Sequence, residues 1–185
     1  HEVTRLVARH KGPVAAVALG AGRLGDDIVS SVGEEDGMLV TDSVLDPGSS
    51  THHDPSIPFL PWNKDKIAFS FRHRLPSSDH PVTALAIDPQ YSHADGKFRR
   101  VCYGGASGRL TVHTRGWMGG SDALLRDGEG AVESLAWAPS GLLAWITHAV
   151  VRVFDMNAFR GVCRIDAPAG SIAKRTRYFP GTVAG

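Results

Sequence analysis

One spacing of apolar residues occurs three times along the chain. Residues 14–19, 82–87 and 132–137 superimpose, with apolar side chains at the first, fourth and sixth positions of each copy. The last two apolar residues of each copy are two positions apart, as on one face of a β-strand. Because the same spacing returns at long intervals, it predicts a repeated structural unit that begins with a strand.

Each copy is followed by three more strand patterns. The predicted second, third and fourth strands are residues 28–33, 38–41 and 66–71 in the first copy, 101–105, 110–113 and 123–125 in the second, and 142–147, 150–155 and 161–165 in the third. Asp36-Gly37 separates two of these strands, and Asp-Gly is a strong hairpin signal because its positions need positive φ. Four strands per unit is the composition of a β-propeller blade.

Short motifs at the ends of the repeat resemble those of WD40 blades, which open with Gly-His and close their third strand with Trp-Asp. Arg9-His10 opens the first copy, and Phe154-Asp155 closes the third. We expect His10, a serine at 30 or 31, and Asp36 to form a buried chain of hydrogen bonds that ties the edge of the blade to its turn.

These patterns predict an all-β chain, a partial β-propeller of about three to four WD40-like four-stranded blades. The predicted units are the end of a preceding blade in residues 1–8, a blade in 10–75 with a proline-rich inserted loop in 43–65, blades in 80–127 and 130–167, and the start of a next blade or a disordered tail in 168–185. Because blades bury their apolar faces only against neighbours, we expect a parent protein that is longer at both ends. Isolated, these blades are expected to aggregate or remain partly unfolded.

Composition and charge disfavour several classes of protein. Twenty basic and 19 acidic residues give a net charge of +1, so no overall field attracts nucleic acid or an anionic membrane. The local basic cluster of Lys97, Arg99 and Arg100 is predicted to be solvated loop charge. No run of about 18 consecutive apolar residues is present, so no membrane-spanning segment is predicted. Because the net charge is close to zero, we also expect no nucleic-acid partner.

Residues with catalytic or metal-binding chemistry are sparse. Cys102 and Cys163 each lie in an apolar strand pattern and are predicted to be reduced thiols in the core. His52, His53 and Asp54 are the densest set of potential ligands, but adjacent side chains point apart and zinc needs further ligands. With no nucleophile motif and no phosphate-binding loop, we expect no enzyme, cofactor, metal or small-molecule substrate. A hydrolase-like propeller that uses this histidine pair is the weakest alternative.

The tryptophans divide between predicted strands and predicted loops. Trp137 and Trp145 fall on strand positions expected inside the blade core, while Phe154 occupies the place of the repeat's usual tryptophan. Trp62 and Trp117 lie in loops, where each is expected to fold back over its own blade. Acidic residues flank Gly128, and we expect turn roles rather than acid–base chemistry for Asp127 and Glu129.

Four blocks in the second half of the chain have a specific order. They are Arg115-Gly116-Trp117-Met118, Asp127-Gly128-Glu129-Gly130, Leu143-Ala144-Trp145 and Val151-Arg152-Val153-Phe154-Asp155. This order and spacing resemble the N-terminal propeller of the vacuolar protein sorting-associated protein 41 family, a subunit of the HOPS complex. The resemblance covers residues 81–155 well and residues 1–43 more loosely.

The resemblance implies a non-enzymatic tethering subunit in vesicle transport and fusion at the late endosome, vacuole or lysosome. Its implied partners are other HOPS subunits, a Rab-type GTPase and adaptor proteins, with peripheral membrane association through them from the cytoplasm. The motif residues, whose role as structural or partner-binding groups stays open, are Arg115, Trp117, Met118, Gly128, Glu129, Gly130, Trp145, Phe154 and Asp155. The alternative is an unrelated WD40 scaffold in a signalling or ubiquitination complex.

Overall fold

Three four-stranded antiparallel sheets follow one another along the chain, each built from four consecutive strands. A computed structural model describes residues 10–21, 27–44, 67–92, 96–116 and 119–166. The first sheet contains β1 (Val14–Ala21), β2 (Asp27–Gly33), β3 (Met38–Val44) and β4 (Ile67–Arg74) in that order. The partial β-propeller predicted from the repeat is therefore confirmed.

The second and third sheets have the same order of strands. The second contains β5 (Val82–Ile87), β6 (Arg100–Gly105), β7 (Leu110–Arg115) and β8 (Gly120–Arg126). The third contains β9 (Val132–Trp137), β10 (Leu142–Thr147), β11 (Val150–Asp155) and β12 (Arg160–Asp166). Two 3₁₀ turns, Ser77–Asp79 and Gly96–Phe98, are the helical elements of the described residues, and no helix there is long and apolar enough to cross a membrane.

The repeated apolar trio faces the preceding sheet. In the second copy Val82, Leu85 and Ile87 are 2%, 8% and 6% exposed and pack into a core shared with Ile28, Val32 and Leu39 of the first sheet. In the third copy, Val132, Leu135 and Trp137 pack with Ala84, Cys102 and Leu110 of the second sheet. The inner strand of each sheet thus carries the residues that join it to the sheet before it.

The same trio is exposed in the first copy. Val14, Val17 and Leu19 are 48%, 57% and 77% exposed, whereas Ala16 and Ala18 on the other face of β1 pack against the first core. Because the corresponding side chains of the other copies are covered by a preceding blade, these three lie where a further blade would pack. No described residue covers them.

Most predicted strands coincide with observed ones, but several expectations need correction. The proline-rich loop was expected to begin at residue 43, whereas β3 continues through Val44 because Ser43 and Val44 still pair with β4. Cys163 was expected in the core and instead is exposed on β12, the outer strand of its sheet, which no described residue covers; both cysteines are free, as expected.

Several other expectations fall on residues that the structure does not describe. These are the ends in residues 1–8 and 168–185, most of the inserted loop, and the residues His52, His53, Asp54, Trp62, Trp117 and Met118. The limits of the predicted units accordingly stay predictions.

Gly104 is a point of close approach between the second and third sheets. A Cβ atom at Gly104 would lie 2.9 Å from Val132 Cβ, so we expect Gly104→Ala to displace the third sheet and destabilise the protein by about 1–3 kcal/mol in urea unfolding. Gly161→Ala is the matched control, because a Cβ atom at Gly161 meets nothing within 4 Å. Equal stability of the two variants would contradict this interface.

Candidate functional site

A chain of polar side chains ties the first sheet to the segment that precedes it. His10 Nε2 lies 2.8 Å from Ser31 Oγ, and His10 Nδ1 lies 3.4 Å from Asp36 Oδ1. A proton on Nδ1 lets the ring donate to Asp36 and accept from the Ser31 hydroxyl. The predicted network is confirmed, and Ser31 rather than Ser30 is its serine.

Asp36 also accepts two backbone hydrogen bonds, from Lys11 N at 3.1 Å and Met38 N at 3.0 Å. Burial raises the pKa of the Asp36 carboxyl, but these two amides and His10 outweigh it and hold the pKa below its ordinary value. The carboxylate therefore remains ionised and closes the hairpin. Ser30 has a different role, since its Oγ lies 2.8 Å from Thr41 Oγ1 inside the sheet.

Ser31, His10 and Asp36 have the order of groups found in a hydrolytic triad, but their setting is that of a structural link. The His10 side chain is 3% exposed, so the imidazole itself is closed to a substrate. The carboxylate is already used by the two backbone amides that fix the turn. We assign these three residues to the stability of the first blade.

A different acid performs the equivalent task in the second sheet. Asp79, 3% exposed, accepts from Tyr103 Oη at 3.1 Å and Thr111 Oγ1 at 3.4 Å, and its other oxygen lies 3.0 Å from Arg109 Nε. Burial raises the pKa of the Tyr103 phenol, with a smaller contribution from the nearby carboxylates, so the phenol remains a donor. The strand-preceding segment is again joined to the second and third strands of its sheet.

In the third sheet the link is an ion pair. Arg152 Nε donates to Glu129 Oε2 at 2.7 Å, and Arg152 Nη2 also contacts Glu129 Oε1. The hydrogen bond from Arg152 lowers the pKa of Glu129, with burial opposing it, and the same pair raises the pKa of Arg152. Turn chemistry at the following hairpin comes from Thr147, whose Oγ1 accepts from Val150 N at 3.2 Å.

Several motif residues singled out by the sequence make packing or turn contacts within the third blade. Trp145 lies in the core at 2% exposure, and Phe154 packs edge-on against Phe159 with 5.4 Å between ring centroids. Asp155 Oδ1 accepts from Asn157 N at 2.8 Å and Ala158 N at 2.9 Å, which closes the last hairpin. These residues support separate parts of the blade and do not converge on one site.

The two motif glycines adopt backbone conformations that favour glycine. Gly128 has φ 76° and Gly130 has φ 91°, and a Cβ atom at Gly130 would lie 2.4 Å from His148 Cε1. They shape the segment that presents Glu129 to Arg152.

Arg115 lies apart from the other motif residues, between the first and second sheets. Its guanidinium carbon is 4.2 Å from the centroid of the Phe71 ring, a cation–π contact that joins β7 to β4. Phe71 in turn stacks on His113 with 5.5 Å between centroids. Arg115 therefore borders a group of aromatic and imidazole rings.

That group contains the one set of three potential metal ligands among the described residues, His73, His113 and Asp122, which we call the interblade cluster. His113 Nδ1 donates to Asp122 Oδ1 at 2.7 Å, and His73 Nε2 lies 3.4 Å from Asp122 Oδ2. The two imidazoles stack with 3.9 Å between centroids. One carboxylate thus faces two histidines from neighbouring blades.

Register and packing determine how the interblade cluster forms. His113 on β7 and Asp122 on β8 are directly paired across the sheet, and His73 comes from β4 of the first sheet. The His113 side chain is 1% exposed, and burial lowers its pKa despite its bond to Asp122, so the ring is neutral. A Cβ atom at residue 120 would lie 2.2 Å from His113 Cε1, so glycine there leaves room for the ring.

The expectation from the sequence was that no metal is bound, with His52, His53 and Asp54 as the densest set of potential ligands, so the interblade cluster was missed. The available signal was local. Phe71 and His73 are two residues apart on β4, and His113 and Arg115 are two residues apart on β7, so each pair lies on one face of its strand. Such a signal does not reveal which strands of different blades meet.

Arg100 corrects the prediction that its basic cluster is solvated loop charge. Arg100 belongs to β6, and its Nη2 lies 2.7 Å from Asp88 Oδ2. The guanidinium also lies over the Trp137 ring of the third sheet, with 5.2 Å to the centroid. Arg100 therefore contributes to the contact between the second and third blades.

The repeated sheets, the shared cores between them and the polar link in each one define blades of a β-propeller. Residues 67–177 match the Vps41 β-propeller family, whose description reads Vps42 beta-propeller. Since that match covers more than half of the 185 residues, the chain belongs to the Vps41 β-propeller family.

Curated relatives agree with this assignment. The chain is 35% identical over 107 residues, 58% of its length, to a vacuolar protein sorting-associated protein 41 homolog of Arabidopsis thaliana. It is 33% identical over 49% of its length to the homolog of Solanum lycopersicum, and 30% identical over 48% to vacuolar protein sorting-associated protein 41 of Schizosaccharomyces pombe. The matches cover 10%, 9% and 10% of those proteins, so the chain corresponds to a small part of each.

The Glu129–Arg152 pair predicts a specific pH dependence. Because the pKa of Glu129 is lower in the folded state than in the unfolded one, its contribution is complete above the unfolded pKa of about 4.3 and is lost as the pH falls through the folded pKa. We expect Glu129→Gln to make stability in urea less dependent on pH below about pH 5, where the wild type loses the contribution of the ion pair.

The control for this experiment is Glu133→Gln, which removes one carboxylate from an exposed position of β9. This variant shows how much the loss of one negative charge alone changes the pH dependence of stability. If Glu129→Gln and Glu133→Gln give the same pH profile, the ion pair does not stabilise the third blade as described.

Proposed function

We propose that this chain forms part of a non-enzymatic interaction propeller that acts in vacuolar protein sorting, within a HOPS-type membrane-tethering subunit. Its partners would be the other HOPS subunits, a Rab-type GTPase and adaptor proteins. It would act from the cytoplasm, on the membranes of the late endosome, vacuole or lysosome, and would bind them through these partners.

The observation that carries the proposal is the position of the family match. Residues 67–177 include all strands of the second and third sheets, which hold the ordered motif blocks from Arg115 to Asp155. The relatives that match 48–58% of the chain are named as vacuolar protein sorting proteins. Membership of this propeller family supports a shared role, and it disfavours the alternative of an unrelated WD40 scaffold.

A non-enzymatic role is supported by how the chain uses its reactive side chains. The groups that resemble acid, base and nucleophile partners, Ser31 with His10 and Glu129 with Arg152, hold strands and turns in place. Cys102 is fully buried, and burial raises the pKa of its thiol, which keeps it unreactive. The blades thereby provide a rigid frame on which outward-facing loops and strands meet partners.

The test compares the full-length protein with a chimera in which an unrelated β-propeller of similar size replaces this one. We expect the native protein to retain a late-endosomal or vacuolar Rab-type GTPase in its GTP-bound form, and the chimera to retain at least tenfold less. The GDP-bound GTPase is the nucleotide control. Equal retention by both proteins, or retention that ignores the nucleotide, would overturn the proposed role of the propeller.

A further inference from the structure

The interblade cluster has the donor set of a transition-metal site. Two imidazoles and one carboxylate each offer one ligand atom, and these atoms all lie within 4.8 Å of one another. Histidine nitrogen and carboxylate oxygen are common ligands of Zn²⁺, and two histidines with one acidic residue form a known three-ligand set. Nothing in the blade architecture requires this combination, since the second and third sheets meet through apolar packing and a cation–π contact.

We propose that His73, His113 and Asp122 bind a divalent transition-metal ion, with Zn²⁺ as the expected ion, and so clip the first blade to the second. This inference is independent of the proposed role in vacuolar sorting. The fourth position of a tetrahedral ion would remain open to water or to a ligand from a partner.

Distances around the carboxylate are compatible with such an ion. Tetrahedral zinc with bonds of 2.0–2.1 Å places its ligands roughly 3.3 Å apart. His73 Nε2 to Asp122 Oδ2 is already 3.4 Å, while His113 Nδ1 to Asp122 Oδ1 is 2.7 Å and must widen as the ion takes the place of the Nδ1 proton, which moves to Nε2 of the same ring. The separation of His113 Nδ1 and Asp122 Oδ1 therefore increases by about 0.6 Å.

One ring must also turn. A metal ion lies close to the plane of an imidazole that binds it, and the two rings are stacked with 25° between their planes. His113 is buried and held by the approach of Gly120, whereas the His73 side chain is 25% exposed. His73 is therefore the ligand that moves onto the ion, and His113 with Asp122 is the fixed part of the site.

Exposure and charge set the properties of the site. Asp122 is 30% exposed, so the carboxylate and His73 give solvent and metal a route to the buried imidazole. His73 Nε2 and His113 Nε2 are both buried, and neither has a hydrogen-bond partner among the described residues, which is a cost that the packing of the cluster carries without an ion. The positive charge of Arg115 lies near His113 and repels a metal ion, so we expect this site to bind Zn²⁺ more weakly than structural zinc sites built from cysteine.

The experiment measures zinc bound per chain of the full-length protein after dialysis against buffered Zn²⁺. We expect His73→Gln and Asp122→Asn each to hold one zinc ion fewer than the wild type, or to bind that ion at least tenfold more weakly. His148→Gln is the control, since His148 is an exposed histidine outside the cluster and its loss should leave the zinc content unchanged. His113 is left intact because its replacement would also open the core.

A second measurement separates metal binding from packing. The thermal midpoint of the wild type should rise when Zn²⁺ is added to metal-free protein, and His73→Gln should lose that rise while it keeps its midpoint in metal-free buffer. Co²⁺ bound in place of Zn²⁺ should give visible bands of nitrogen and oxygen coordination that Asp122→Asn abolishes. Equal zinc content in wild type, His73→Gln and Asp122→Asn, or a midpoint insensitive to Zn²⁺, would overturn the proposal and leave a stacked histidine pair with a shared carboxylate.

Discussion

Burial of the inner strand of each blade against the preceding blade is the contact on which the other features depend. The second copy of the apolar trio, Val82, Leu85 and Ile87, is nearly covered because the first sheet lies against it, while Ala84 on the opposite face of β5 enters the second core. A strand that is buried on both faces fixes the spacing of the two sheets beside it. The close contact of Gly104 with Val132, and the positions of Arg100 and of the interblade cluster, follow from this spacing.

Within each blade, a polar link between the leading segment and the strands is retained although its chemistry changes. The first blade uses a histidine, serine and aspartate, the second a buried Asp79 with a phenol and a hydroxyl, and the third the Glu129–Arg152 pair. All three join the segment that leads into a blade to the rest of its sheet through an acidic side chain, so the geometric task is common while the residues are not. This explains why the usual repeat signature is faint while the fold is regular.

The sequence predicted the strands because the alternation and turn signals are local. It also predicted the His10–Ser31–Asp36 network, because His10 and Asp36 hold positions known from the repeat. Asp79 was missed because His80 occupies the position that corresponds to His10, and the acid one residue earlier performs the task. Cys163 was placed in the core because its neighbours Val162 and Ile165 are apolar, yet both are more than half exposed on an outer strand that no described residue covers. The interblade cluster depends on contact between β4 and β7, and no local pattern encodes that contact.

Hydrogen–deuterium exchange of the full-length protein tests the central role of the inner strand most directly. β5 and β8 are the two edge strands of the same sheet, but β5 is buried between blades and β8 is mostly exposed. If blades pack as described, backbone amides of β5 exchange far more slowly than those of β8. Exchange of β5 as fast as that of β8 would contradict the account, because it would mean that the second sheet has no blade packed against its inner edge.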